Sequence, residues 1–238
     1  HLLSRRQRQM CIRDRRKGGI DMANKIYTIG REFGSGGREV GEKLAAKLGI
    51  KLYDKELLQQ AAKDSGFCEE IFENHDEKPT NSFLYSLVMD TYSVSGYSAA
   101  PFLDMPLNHK VFLAQFETIK KIAEKESCVI VGRCADYILE RAELDHISLF
   151  IAAPFEWRVQ RKMEQLSIDE KAATSMVRKK DKDRKAYYDY YTGRSRGRPH
   201  NYDLCINSSR LGIEVTAEKL AEMVLQLEKG TSSVDFDL

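Results

Sequence analysis

Gly34-Ser35-Gly36-Gly37-Arg38-Glu39 is a glycine-rich turn followed by a cation, and the chemistry of such a turn is anion binding. Glycines let backbone N–H groups turn inward around a phosphate, and a helix starting there adds its positive end. A phosphate loop ordinarily carries a lysine before a Ser or Thr. None stands here. Arg38 is the natural substitute, because a guanidinium can fork onto phosphate oxygens. Glu39 falls where a hydroxyl would touch Mg²⁺. A carboxylate there can hold the ion directly or through water, or simply complement the start of a helix. The six residues equally suit a tight strand-to-helix turn.

Two more positions carry chemistry. Asp54 in "KLYDKELL" can orient an acceptor, cap the helix that follows, or do both. Arg133 in "VIVGRCADYIL" is delivered by an apolar run and a glycine, which suits an anion; a structural ion pair with Asp136 is the alternative. Downstream, Arg158, Arg161 and Lys162 share one helical face, and Lys180 and Arg184 lie one turn apart with Asp181 between them. Such cations can close over transferring phosphates, where catalysis is mostly positioning and charge neutralisation. The alternative for each is a solvated, salt-bridged surface. The tyrosines of "AYYDYYTG" suit base stacking or the packing of these helices on the core.

The elements that must position these residues can be read from periodicity. Lys25–Gly30 is a β-branched and aromatic run ending in glycine, a strand. From Glu39, Val40, Leu44, Ala45 and Leu48 form a helix face that Gly49 closes. Lys51–Tyr53 is a short strand, and Glu56–Lys63 a helix. Residues 64–105 show no strong period and read as an insertion or cap. A helix follows over 108–126, with Phe112, Phe116, Ile119 and Ala123 on one face. "SCVIVGR", "HISLFIAA" and "YDLCIN" are strands, with charged helices over Phe155–Leu166 and Ile168–Asp189 between the last two. Thr216 is expected to cap a final helix whose Leu220, Ala221, Val224 and Leu225 point inward. Apolar strands alternating with helices predict an α/β fold with a parallel sheet covered on both faces. Ligands then bind beyond the carboxyl ends of the strands, where the loop, Asp54 and Arg133 all fall.

Composition narrows the function classes. Hydrophobic residues make up 42% and charged residues 31% of 238, which suits one globular domain. No run approaches the ~18 apolar residues of a membrane span, so no membrane partner is expected. Residues 1–21 hold seven Arg or Lys and two acids, and they read as a non-native upstream extension ahead of Met22. Without them the balance is 31 basic to 34 acidic residues, so the formal +2 gives no reason to expect a nucleic-acid partner. A single domain is expected over 22–230, with a flexible tail at 231–238. The five cysteines form no CxxC, and Cys128 and Cys205 lie in apolar runs that predict buried thiols and a reducing cytoplasm. The histidines are too scattered to suggest zinc.

The chain resembles the cytidylate kinase-like family, a branch of the P-loop nucleoside monophosphate kinases. The stretches that carry the resemblance are "TIGREFGSGGREVGEKLAAKLGIKLYDKELL", "VIVGRCADYIL", "SLFIAAPFEWRVQRKM", "KKDKDRKAYY" and "YDLCINSSRLGIEV". It implies a three-layer P-loop NTPase fold with a five-stranded parallel sheet, an acceptor-binding insertion over 64–105 and a helical lid over 158–200. It implies phosphoryl transfer from ATP, with Mg²⁺, to a small-molecule nucleotide such as CMP or dCMP. By position, Gly34, Ser35, Gly36, Gly37 and Arg38 would hold ATP phosphates, and Asp54 and Arg133 would face the acceptor. Arg161, Lys180 and Arg184 would be lid cations, acting with Arg38 in catalysis, and Glu39 would serve the metal. The chain departs from the family pattern at three places. Aligned through "GEKLAAKLG", Gly37 takes the lysine's place and Glu39 the hydroxyl's, and Cys134 stands where an Asp follows Gly132-Arg133. Two other readings stay open: a nucleotide-binding regulatory module without transfer, and a kinase of another small acceptor.

Overall fold

A computed structural model describes residues 24–66 and 107–230. The expected upstream extension, the bulk of the 64–105 insertion and the tail lie outside the described residues. The described chain runs β1 (Ile26–Arg31), α1 (Gly37–Leu48), β2 (Lys51–Tyr53), α2 (Lys55–Ser65), α3 (Leu107–Lys125), β3 (Cys128–Val131), α4 (Ala135–Arg141), β4 (Ile147–Ala152), α5 (Phe155–Leu166), α6 (Glu170–Thr192), β5 (Leu204–Asn207) and α7 (Ser208–Gly230). The strands form one parallel sheet in the order β2-β3-β1-β4-β5.

The alternation of β1 shows how the sheet divides its two cores. Ile26 points to one side, where it joins Phe112 and Ile119 of α3, Ile138 of α4, and Tyr187, Tyr188 and Tyr191 of α6. Tyr27 and Ile29 point to the other, among Val40 and Leu44 of α1 and Leu220 and Val224 of α7. Arg31 is next in that second row, so the last side chain of β1 leaves the sheet beside the N-terminus of α1.

The long helix α6 joins two environments. Asp169 caps it by accepting from the Ala172 amide at 2.7 Å. Its first half packs Ala173 and Val177 on Val159 of α5, with Phe33 of the loop against them. Its second half is the tyrosine run. Tyr191 stacks on Phe112 at 4.0 Å between ring centroids, and Tyr187 donates to Gln115. The tyrosines therefore anchor the α5–α6 pair to the core, as the packing alternative expects.

Several local expectations are corrected. Cys205 is exposed, because β5 is an edge strand with alternate residues facing outward. Thr216 does not cap: α7 begins at Ser208, kinks at Gly212, and the Thr216 hydroxyl donates back to the Gly212 carbonyl. Leu225 is 41% exposed, one position past the inward row that Val224 ends.

Candidate functional site

The loop after β1 folds around its own carbonyls before it offers any amide. The Ser35 N–H donates to the Glu32 carbonyl, and its hydroxyl donates to the carbonyls of Glu32 and Ile151 at 2.9 and 3.0 Å. Ser35 is thus turned inward and braces the loop. The first bond of α1 runs from the Val40 amide to the Gly36 carbonyl at 2.9 Å. The amides of Gly37, Arg38 and Glu39 stand ahead of that ladder, and no side chain caps them. Gly36, at φ 77°, makes the left-handed turn that aims them outward. Three such amides at a helix start are suited to an anion.

A cleft of about 710 Å³ opens over these amides. It takes in Gly34, Gly36, Gly37, Arg38, Glu39, Asp54, Arg133, Arg161, Lys180 and Arg184 of the residues the sequence singles out, and leaves Ser35 and Arg158 outside its lining. Arg31, Lys55 and Lys162 raise its lining to eight basic side chains, against four acidic ones from Glu32, Glu39, Asp54 and Asp183. That surplus of four positive charges sits in one concave surface of a chain whose formal net charge is +2.

On the strand side, Asp54 and Arg133 form a buried pair at 2.9 Å, and Arg133 also donates to the Val131 carbonyl. Asp54 sits at the start of α2 but makes no capping hydrogen bond; its carboxylate faces the arginine instead. The predicted alternative of an Arg133–Asp136 pair is not formed: Asp136 is buried and accepts from the Tyr188 hydroxyl at 2.7 Å. Burial raises the Asp136 pKa above the usual carboxylate range, partly offset by that hydrogen bond. Three successive residues, Gly132, Arg133 and Cys134, hold φ of 79°, 55° and 56°. Two of them are not glycine, so the turn that presents Arg133 is held in a costly conformation by its surroundings. Arg38, expected at the phosphates, has its Nε engaged by Glu42 at 3.1 Å and Asp54 at 3.2 Å.

On the helical side, Arg158 is buried, donates to the carbonyls of Ala153 and Phe33, and pairs with Asp181. Asp181 also accepts from the Phe33 amide at 2.8 Å. Together they tie α5, α6 and the loop into one unit. Arg161 reaches the loop itself: its guanidinium lies 3.3 Å from the Gly34 carbonyl and 2.5 Å from the Glu39 carboxylate. Lys162 lies over the Phe33 ring at 4.8 Å, and burial followed by the charge of Arg161 lowers its ammonium pKa. Arg184 lies over the same ring at 5.5 Å.

Glu39 lines the cleft, but Arg161 occupies its carboxylate. Among the described residues, no three His, Cys, Asp or Glu side chains group as a metal cage.

Residues 26–210 match the sequence model of the cytidylate kinase-like family. The chain belongs to that family. No curated protein matches it. Among solved structures it is similar to an uncharacterized protein from Eubacterium ventriosum, at 32% identity and a TM-score of 0.62, over 84% of this chain and 98% of that one. It is also similar to shikimate kinase from Bacteroides thetaiotaomicron, at 14% identity and a TM-score of 0.49, over 84% and 98% of the two chains. The architecture is the three-layer P-loop NTPase fold.

Sequence reading gives no role to two residues of this cleft, Arg31 and Glu32, which follow the strand that the pattern ends at Gly30. Arg158, one cation among several on α5 in the sequence, is a buried structural hub. The signal was present: a charged pair directly after the buried run "IYTIG" must either find partners or serve a site.

Proposed function

We propose that the protein transfers a phosphoryl group from ATP to a small anionic acceptor, with nucleoside monophosphates, CMP and dCMP first among them, as the candidates. The observation that carries this reading is the pairing of three helix-start amides with a strongly cationic cleft in a member of the cytidylate kinase-like family. ATP phosphates would lie on the amides of Gly37, Arg38 and Glu39. The acceptor's anionic group would meet Arg133, with Asp54 holding that arginine in place.

Arg161, Lys180 and Arg184 would neutralise charge that develops on the transferring group, and α5–α6 would act as the lid. Glu39 would be the protein carboxylate available to Mg²⁺, which would supply charge neutralisation at the phosphates. Arg161 would then exchange its Glu39 partner for phosphate. This swap makes the lid cation available only when anion or metal arrives.

The test is direct. The full chain is incubated with labelled ATP, Mg²⁺ and a panel of nucleoside monophosphates, and diphosphate products are separated. Formation of CDP or dCDP is expected. Nucleotide binding without any product would assign the cleft to a regulatory module, and product from a non-nucleotide acceptor alone would replace the acceptor class. Arg161→Ala should lower turnover by about 10²-fold or more, the usual cost of one charge-stabilising donor.

A further inference from the structure

We infer that Arg31 replaces the missing lysine of the phosphate loop, and that Gly37 is glycine to let it do so. The inference rests on the reading that the loop holds a nucleoside triphosphate, and it names the cation of that site.

Gly37 occupies the lysine's place, yet its backbone does not call for glycine. It is an ordinary first residue of α1 and is absent from the left-handed positions of the described chain. What excludes a side chain there is space. A Cβ at position 37 would lie 2.5 Å from the Arg31 Cβ, 3.1 Å from its Cγ and 3.3 Å from the Ile151 Cβ. Real Cβ atoms do not approach so closely, and the obstructing atoms are the rigid base of the arginine rather than its flexible end. Positions 31 and 37 therefore cannot both carry a side chain in this fold. One long cation can enter the space beneath the loop, either from the helix or from the strand, and here it enters from the strand.

The strand supplies it for a geometric reason. Tyr27, Ile29 and Arg31 form the row of β1 that faces α1. Arg31 is held in register opposite Ile151 at the sheet's carboxyl edge. Its carbonyl accepts from Arg196, which fixes the backbone independently of the side chain. Arg31 is only 8% exposed, yet it lines the cleft beside Gly36 and Gly37. Arg38, the neighbour in sequence, is 47% exposed at its side chain and turned to two carboxylates. A guanidinium entering from β1 adds a forked contact that an ammonium lacks.

The experiment compares ATP and tripolyphosphate binding by calorimetry in the wild type, Arg31→Met, Arg31→Lys, Arg31→Gly, Gly37→Lys and the double exchange Arg31→Gly with Gly37→Lys. Melting temperature is recorded for each. Arg31→Met, which keeps an apolar stem, should lose roughly ten- to hundred-fold in affinity for both ligands, as loss of a charge-assisted contact does. Arg31→Lys should keep most of it. Gly37→Lys alone should lose affinity through the clash, and the double exchange should regain what Arg31→Gly loses. A merely structural arginine would shift melting in Arg31→Met and leave polyphosphate affinity unchanged, which would overturn the assignment. So would a folded double exchange with no recovery. Failure of the wild type to bind either ligand would instead sink the nucleotide reading, and this assignment with it.

Discussion

The two walls of the cleft solve the same electrostatic problem differently. On the strand wall, Arg133 is 2% exposed at its side chain, and one carboxylate, Asp54, faces it across 2.9 Å. Its backbone is fixed in a left-handed turn at the end of β3. On the helical wall, Arg158 is also buried, but Asp181, Glu32 and two carbonyls share its donors, and Arg161 and Glu39 meet at a more open site. The strand wall is held by its backbone and by burial. The helical wall spreads its charges over partners that can be exchanged. The difference teaches where rigidity is placed: a parallel sheet fixes the positions of its strand ends, whereas long cationic side chains on a helix pair adapt to what they meet.

Breaking the strand wall should have the largest effect. Asp54→Ala removes the carboxylate that faces the buried Arg133 charge, and a loss of about 3–5 kcal/mol in unfolding free energy is expected from denaturant titration. Asp181→Ala on the helical wall should cost less, about 1–3 kcal/mol in the same measurement, because Arg158 keeps Glu32 and two carbonyls. If the two variants cost the same, the contrast between the fully buried strand wall and the more open helical wall is wrong. Gly36→Ala adds a side chain at φ 77°, with its Cβ 2.6 Å from the flexible tip of Ile213. About 1–2 kcal/mol is expected, mostly from the backbone conformation.

Asp136 sharpens the comparison through pH. Burial raises its pKa in the folded state, so over the window above the ordinary carboxylate value the native state holds more protons than the unfolded one. Its contribution is favourable below that window and lost as pH rises through it. Asp136→Asn keeps an acceptor for Tyr188 and removes the titration, so its melting temperature should fall less than the wild type's between pH 5 and pH 8. An unchanged pH profile would refute the assignment. The smallest effect is expected at the exposed Lys185–Asp189 pair on α6, where Lys185→Ala should change stability by about 0.5 kcal/mol or less.

Much of this was legible in residue order. Period-two and period-3.6 patterns placed β1, α1, β3 and β4, because burial on both faces of a parallel sheet leaves continuous apolar runs. The predicted helix over Phe155–Leu166 coincides with α5. The cleft residues were legible as a group, since strand ends gather at one edge whatever their partners. Their pairings were not. Arg133 meets Asp54, seventy-nine positions away, rather than Asp136 three positions on, because β2 and β3 are neighbours in the sheet and Asp136 accepts from Tyr188 instead. The exposure of Cys205 depended equally on strand order, which makes β5 an edge.

The sequence by itself determined a family, a set of parallel strands and a glycine-rich loop suited to an anion, since these follow from motifs, local periodicity and backbone amides that glycine exposes. Only the tertiary structure decided which cation stands under that loop. The reason is steric: Arg31 and Gly37 are six positions apart in the chain, and nothing but the folded contact between β1 and α1 makes them compete for one space.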